Sequence, residues 1–161
     1  MRFSSATLSL LLVLSLFLWA GMVAGISFLE APLKFTAPNI TVVLGVGIGR
    51  IVFHALNKVE LTLSVVALLC AGIVRIPSRL WLVLLTVVLI LLAQTFILLP
   101  ALDARAITLQ AGSLTPPSSQ HAVYIGLELT KFVCLIVAGT LAFQATIRRA
   151  VYTSLALPVA A

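Results

Sequence analysis

Charge is scarce in this chain, and the scarcity excludes an ordinary soluble globule. Only 9% of its 161 residues are charged, against 62% hydrophobic, which leaves too little polar surface to cover a water-facing fold of this length. Cysteine is equally sparse. Cys70 and Cys134 lie inside apolar runs with no CxxC spacing and at different depths along them, so no disulfide is expected and both read as small apolar core residues. There is no internal repeat and no low-complexity tract. Gly45, Gly47 and Gly49 follow no strand and so lack the context of a nucleotide-binding loop; they predict a kink or a close helix contact instead.

What the chain has in abundance is long apolar runs. Residues 7–29, 50–73, 80–99 and 122–147 each reach or exceed the roughly 20 residues a helix needs to cross a bilayer. The expected fold class is therefore all-α, an integral membrane four-helix bundle, with residues 1–161 forming a single four-span transmembrane domain. The first run resembles a signal peptide in its Arg2, its leucines and its small residues Ala20, Gly21, Ala24 and Gly25. It is longer than the roughly 7 to 15 residues of a signal core and continues to Phe28, so it reads as a retained helix. Gly21 and Gly25 make a GxxxG pair suited to close packing.

The formal charge of +6 is informative through its placement. Arg2, Arg75, Arg79, Arg148 and Arg149 all fall at one end of the four runs, and by the positive-inside rule that end is cytoplasmic. The topology expected is N-in/C-in, with residues 30–49 and 100–121 facing outward. The partner implied is the lipid bilayer and not a nucleic acid, and a four-helix protomer could work as a homodimer.

Between the runs, Pro32 and Pro38 predict a break and a turn in the first outer loop. Pro38 suits the first turn of the second helix, with Thr36 or Ala37 as its cap. Asn39-Ile40-Thr41 matches the glycosylation sequon, a triplet common by chance. The link from Arg75 to Arg79 is short enough to make spans two and three antiparallel neighbours. Helix-forming composition continues past Pro100 as far as Gly112, a natural stop. Residues 113–119 then read as a rigid polar turn, with Ser118 or Ser119 capping span four.

The candidate site is a pair of polar stripes. Arg50, His54, Asn57 and Lys58 project within about a third of the helix circumference, extended by Glu60 and Ser64. His121, Tyr124, Glu128 and Lys131 share an arc of about 80°. Seven of these groups are ionisable, and each costs about 2.5 to 3.5 kcal/mol at membrane depth, more than helix registration alone requires. They predict an outward-facing polar cavity between spans two and four, with Gln94 at a similar level and a mouth of Glu30, Lys34, Asp103 and Arg105. Expected pairs are Lys131 with Glu60, and Arg50 or Lys58 with Glu128.

Binding or transport of a small polar or anionic ligand, or of protons, is the leading functional expectation. The alternatives are a haem held by His54 and His121, a quinone beside Tyr124 and His121, and a structural ion-pair network. No catalytic triad, metal-ligand cluster or activated nucleophile accompanies these residues, no particular cofactor is specified, and an enzyme is not the expected reading.

Two resemblances add to this. Asn57-Lys-Val-Glu60 resembles the Asn-x-x-Glu segment on the second helix of the membrane-associated eicosanoid and glutathione metabolism proteins. That family places an arginine about one turn before the asparagine, where this chain has Phe53. More broadly, Phe28-Leu-Glu-Ala-Pro-Leu-Lys-Phe35, Gly49-Arg-Ile-Val-Phe53, Ala55-Leu-Asn-Lys-Val-Glu60, Leu102-Asp-Ala-Arg105 and the segment from His121 to Lys131 are similar to small four-span bacterial inner-membrane proteins of unknown function. The resemblance implies four spans and a bacterial inner membrane, and it brings no activity.

Overall fold

The computed structural model describes residues 4–113 and 118–156, with side chains as far as Tyr152. Among these residues there is no strand, and four helical rods are each long and apolar enough to cross a membrane. We label them α1 (Ser5–Thr36), α2 (Val42–Val74), α3 (Ser78–Gln110) and α4 (Gln120–Ala156). All four outrun the apolar stretches that announce them. Arg2, the middle of the expected 113–119 turn and the last five residues lie outside the described residues.

The bundle is held by seams of alternating three- and four-residue spacing. Ser9, Leu12, Leu16, Trp19 and Val23 form the buried stripe of α1, and Leu80, Leu84, Val87, Leu91 and Gln94 that of α3. On α4 the stripe is Tyr124, Glu128, Lys131, Leu135, Ala138 and Ala142. This spacing is the one that interlocks neighbouring helices at a shallow crossing angle. Small residues, Ala67, Ala71, Ala138 and Ala142, fill the Arg75 end of the core. There Arg149 donates to the carbonyls of Val74 and Arg75 at 2.7 Å each, satisfying groups that the end of α2 leaves free.

At the opposite end, two prolines sit inside rods and do not break them. Pro32 follows a π-helical stretch, Ala24–Glu30, closed by a bond from the Ala31 amide to the Ile26 carbonyl. Pro100 follows another, Gln94–Leu98, closed from Leu99 to Gln94. A proline ring clashes with the carbonyl four residues back, here Phe28 or Phe96, and the wider π turn moves that carbonyl away. The break expected at Pro32 is therefore absent, and α1 ends only after a 3-10 turn at Lys34–Thr36.

Four further local expectations meet the structure as follows. α2 is capped by Thr41, whose hydroxyl accepts from the Leu44 amide at 3.2 Å, and not by Thr36 or Ala37, because Asn39 turns through a positive φ of 65° first. The glycines of α2 do not interrupt its α-helical run. Instead Gly45 lets the Phe35 ring lie against the backbone, and Gly49 admits the Lys34 ammonium. Gly112, at φ 78°, ends α3 in a Schellman turn, with Ser113 bonded to Thr108 and Gly112 to Leu109. Ser118 Oγ accepts from the amide of Gln120, the first residue of α4.

The seam makes a testable distinction between adjacent positions. Ala138 is fully buried and Val137 is 43% exposed. Ala138→Leu should overpack the core and destabilise the bundle by about 1 to 3 kcal/mol, whereas Val137→Leu should leave the unfolding midpoint in detergent unchanged.

Candidate functional site

The seams of all four rods converge on one buried polar layer. Lys131, with no exposed surface, contacts the Glu60 carboxylate directly and donates to Glu128 Oε1 at 2.9 Å and to Gln94 Oε1 at 2.7 Å. The three donors of its ammonium are thus matched by three acceptors from three helices. Gln94 turns its amide nitrogen to Glu128 Oε1 at 3.0 Å, and Ser27 donates to Glu128 Oε2 at 3.0 Å. Trp19 donates its indole N–H to Glu60 Oε1 at 2.8 Å. Glu60, Gln94, Glu128 and Trp19 are each 1% exposed.

This layer is satisfied except at one point. Glu60 Oε2 is the one buried side-chain polar atom without a hydrogen-bond partner among the described residues. The formal charges do not cancel either: two carboxylates face one ammonium. Beside the layer, Asn57 donates to Thr95 Oγ1 at 2.8 Å, which ties α2 to the π-helical stretch of α3.

Above the layer lies a cavity of about 540 Å³, walled by all four rods. Glu128 and Tyr124 form its floor on the side of the layer, and Phe28, Phe53, Leu102 and Ala106 are among its apolar walls. Tyr124, 3% exposed, is fixed edge-to-face against Phe53, with ring centroids 5.5 Å apart. The lip carries Lys34, Arg50, Asp103, Arg105 and His121. Lys34 is held by Glu30 at 3.3 Å, and Arg50 by Asp103 at 3.1 Å. Arg105 lines the cavity and has no acidic partner among the described residues.

The two stripes are therefore only partly inward. Asn57, Glu60, Tyr124, Glu128 and Lys131 are buried as expected, and Lys131 pairs with Glu60. Arg50, Lys58 and His121 are exposed, and the His54 side chain is 43% exposed. The expected pairing of Arg50 or Lys58 with Glu128 does not form. Glu128 is taken by Lys131, Gln94 and Ser27, while Arg50 lies about two turns further along α2 and meets Asp103, which His54 also approaches to 2.6 Å. The cavity belongs to four rods and not to spans two and four alone.

His54 and His121 open on different cavities, His121 on the central one and His54 on a groove between α2 and α3. That separation disfavours one iron between them. Among the described residues no cluster of three or more His, Cys, Asp or Glu side chains is placed to hold a metal ion. Sequence reasoning missed Trp19, Ser27 and Thr95. Trp19 had a signal: an indole N–H on a helix seam requires an acceptor from another helix.

Comparison with known proteins adds no relative. No protein-family model matches the chain, and neither the curated proteins nor the solved structures contain a match.

Two lysines 73 residues apart in the chain, one inside and one outside, test this geometry. Lys131→Met leaves two buried carboxylates without their cation and should cost about 3 to 5 kcal/mol. Lys58→Met, on an exposed face, should leave the unfolding midpoint in detergent where it was. Similar midpoints for both variants would remove the buried ammonium from the account.

Proposed function

We propose that this is an integral membrane protein that binds a small anionic amphiphile in its central cavity and carries it, or protons, between the cavity and the bilayer interior. The observation that carries the reading is the cavity itself, with apolar walls, at the lip an Arg105 that has no acidic partner among the described residues, and Glu128 of the charged layer in its floor. Apolar walls fit a hydrocarbon body, and a guanidinium without an acid fits a carboxylate or phosphate head. The layer, one positive charge short, has room for a proton, and Glu128 belongs to both layer and cavity.

The membrane reading is supported by the outward faces of the rods. Leu14, Ile51, Leu69, Leu82, Leu89 and Phe96 are each more than half exposed, a surface that lipid and not water would cover. Both termini are assigned to the cytoplasmic side, since Arg75, Arg79, Arg148 and Arg149 gather at one end of the bundle. A bacterial inner membrane is the location we favour, on the sequence resemblance alone.

One observation favours a second reading: His121 and Tyr124 line the same apolar cavity, as a quinone head would need. Decanoate, decanol and a short-chain quinone, each added to protein in mild detergent, separate the two. Decanoate should raise the unfolding temperature where decanol does not, and Arg105→Gln should weaken decanoate binding by about tenfold, as loss of one charge-assisted hydrogen bond would. Stabilisation by the quinone alone, or an unchanged response of Arg105→Gln, would contradict the amphiphile reading.

A further inference from the structure

Along α2 runs a second ladder of basic groups, of which Arg50 alone also reaches the lip of the central cavity. Arg50, His54 and Lys58 follow one another at four-residue spacing and line the open groove between α2 and the end of α3, with Ile51, Ala55 and Gln110. Residues so spaced stack along one helix face. Ile51 in the groove is 73% exposed, and toward the Arg75 end the line of Lys58 continues past Thr62 through Val65, 55% exposed, and Leu69, 63% exposed. Asp103 is the acid against the ladder, taking Arg50 Nε at 3.1 Å and His54 at 2.6 Å. The terminal amino groups of Arg50 remain for another acceptor, and Lys58 has no acidic partner among the described residues.

Depth gives the ladder its meaning, and this step rests on the membrane reading above. The arginines at the Arg75 end mark one boundary of the hydrocarbon. At about 1.5 Å per residue along an unbroken α2, Lys58 lies about 25 Å from that boundary, His54 about 31 Å and Arg50 about 37 Å. The hydrocarbon is about 30 Å thick and the headgroups add roughly 5 to 7 Å on each side. Lys58 is thus just inside the far boundary, with a side chain long enough to reach it, and His54 and Arg50 are level with the headgroups.

We propose that this groove is a binding site for one anionic phospholipid of the outer leaflet. Its phosphate accepts from the Lys58 ammonium and the Arg50 guanidinium, and its acyl chains run from there toward the Arg75 end, down the face of α2 past Val65 and Leu69. An anionic lipid is favoured over a zwitterionic one because no acid among the described residues lines the groove to receive a headgroup ammonium, and Asp103 beside it is already engaged by Arg50 and His54.

The test is native mass spectrometry of the delipidated protein with dioleoyl phosphatidylglycerol or dioleoyl phosphatidylcholine. The wild type should retain one phosphatidylglycerol per chain, held at least about fivefold more tightly than phosphatidylcholine, the effect of about one interfacial basic contact. Lys58→Gln should lose that preference, and Lys58→Arg and Arg79→Gln should keep it. Equal binding of the two lipids by the wild type, or an intact preference in Lys58→Gln, would overturn the site. Decanoate stabilisation of Lys58→Gln verifies its fold and separates failure of the groove from failure of the cavity. Release of the chain from membranes by alkaline carbonate would overturn the membrane reading and the lipid site together.

Discussion

Burying an ammonium group without water is costly, and the bundle is organised around meeting that cost. Lys131 has three donors, and Glu60, Glu128 and Gln94 supply one acceptor each from α2, α4 and α3. Trp19 brings α1 into the same layer through Glu60. An apolar layer would permit the helices to slide or rotate against one another with little loss. A layer of directional bonds permits one register, the best-attested use of buried polar groups.

The same layer fixes where the bundle can open. On its Arg75 side the seam residues are mainly leucines and alanines, with Ser9, Ser64, Cys70 and Val87 among them, all buried. On the other side α1 and α3 pass through π-helical stretches that accommodate Pro32 and Pro100. Ser27, the Glu128 donor, lies within the first stretch, and Gln94 begins the second. The two features that relieve the prolines thus also supply two of the ligands of Glu128, and the cavity begins immediately above them. Single-turn π distortions are frequent at functional sites for this reason: they re-aim a side chain without ending the helix.

Much of the architecture was legible in the sequence, because run length and the scarcity of charge depend on composition alone. Similar depth on two polar stripes allowed Lys131 to meet Glu60, but the choice of partner was not legible, since Arg50 and Lys58 were equally available to the carboxylates. The stripe argument overreached at its ends. Arg50, His54 and His121 share an arc with buried residues, yet arc does not specify height, and toward the rod ends a polar face can turn outward to Asp103 or to the surface. Lys58, midway along α2, instead points about 160° round the helix from Glu60 and so faces outward. The π stretches had no local signature apart from the prolines, which alone predict a break. Trp19, Ser27 and Thr95 were hidden because a donor on an apolar helix reveals its role only once the acceptor opposite it is known.

The central claim is that Glu60 and Lys131 are energetically one unit, and a double-mutant cycle measures this most directly. Glu60→Leu, Lys131→Leu and the double variant would be unfolded in mixed detergent micelles. Each single change should be strongly destabilising, and the double should recover part of the loss, with a coupling energy of about 1 to 3 kcal/mol. Additive losses, within about 0.5 kcal/mol, would mean that the two side chains do not meet and that the polar layer does not hold the bundle in register.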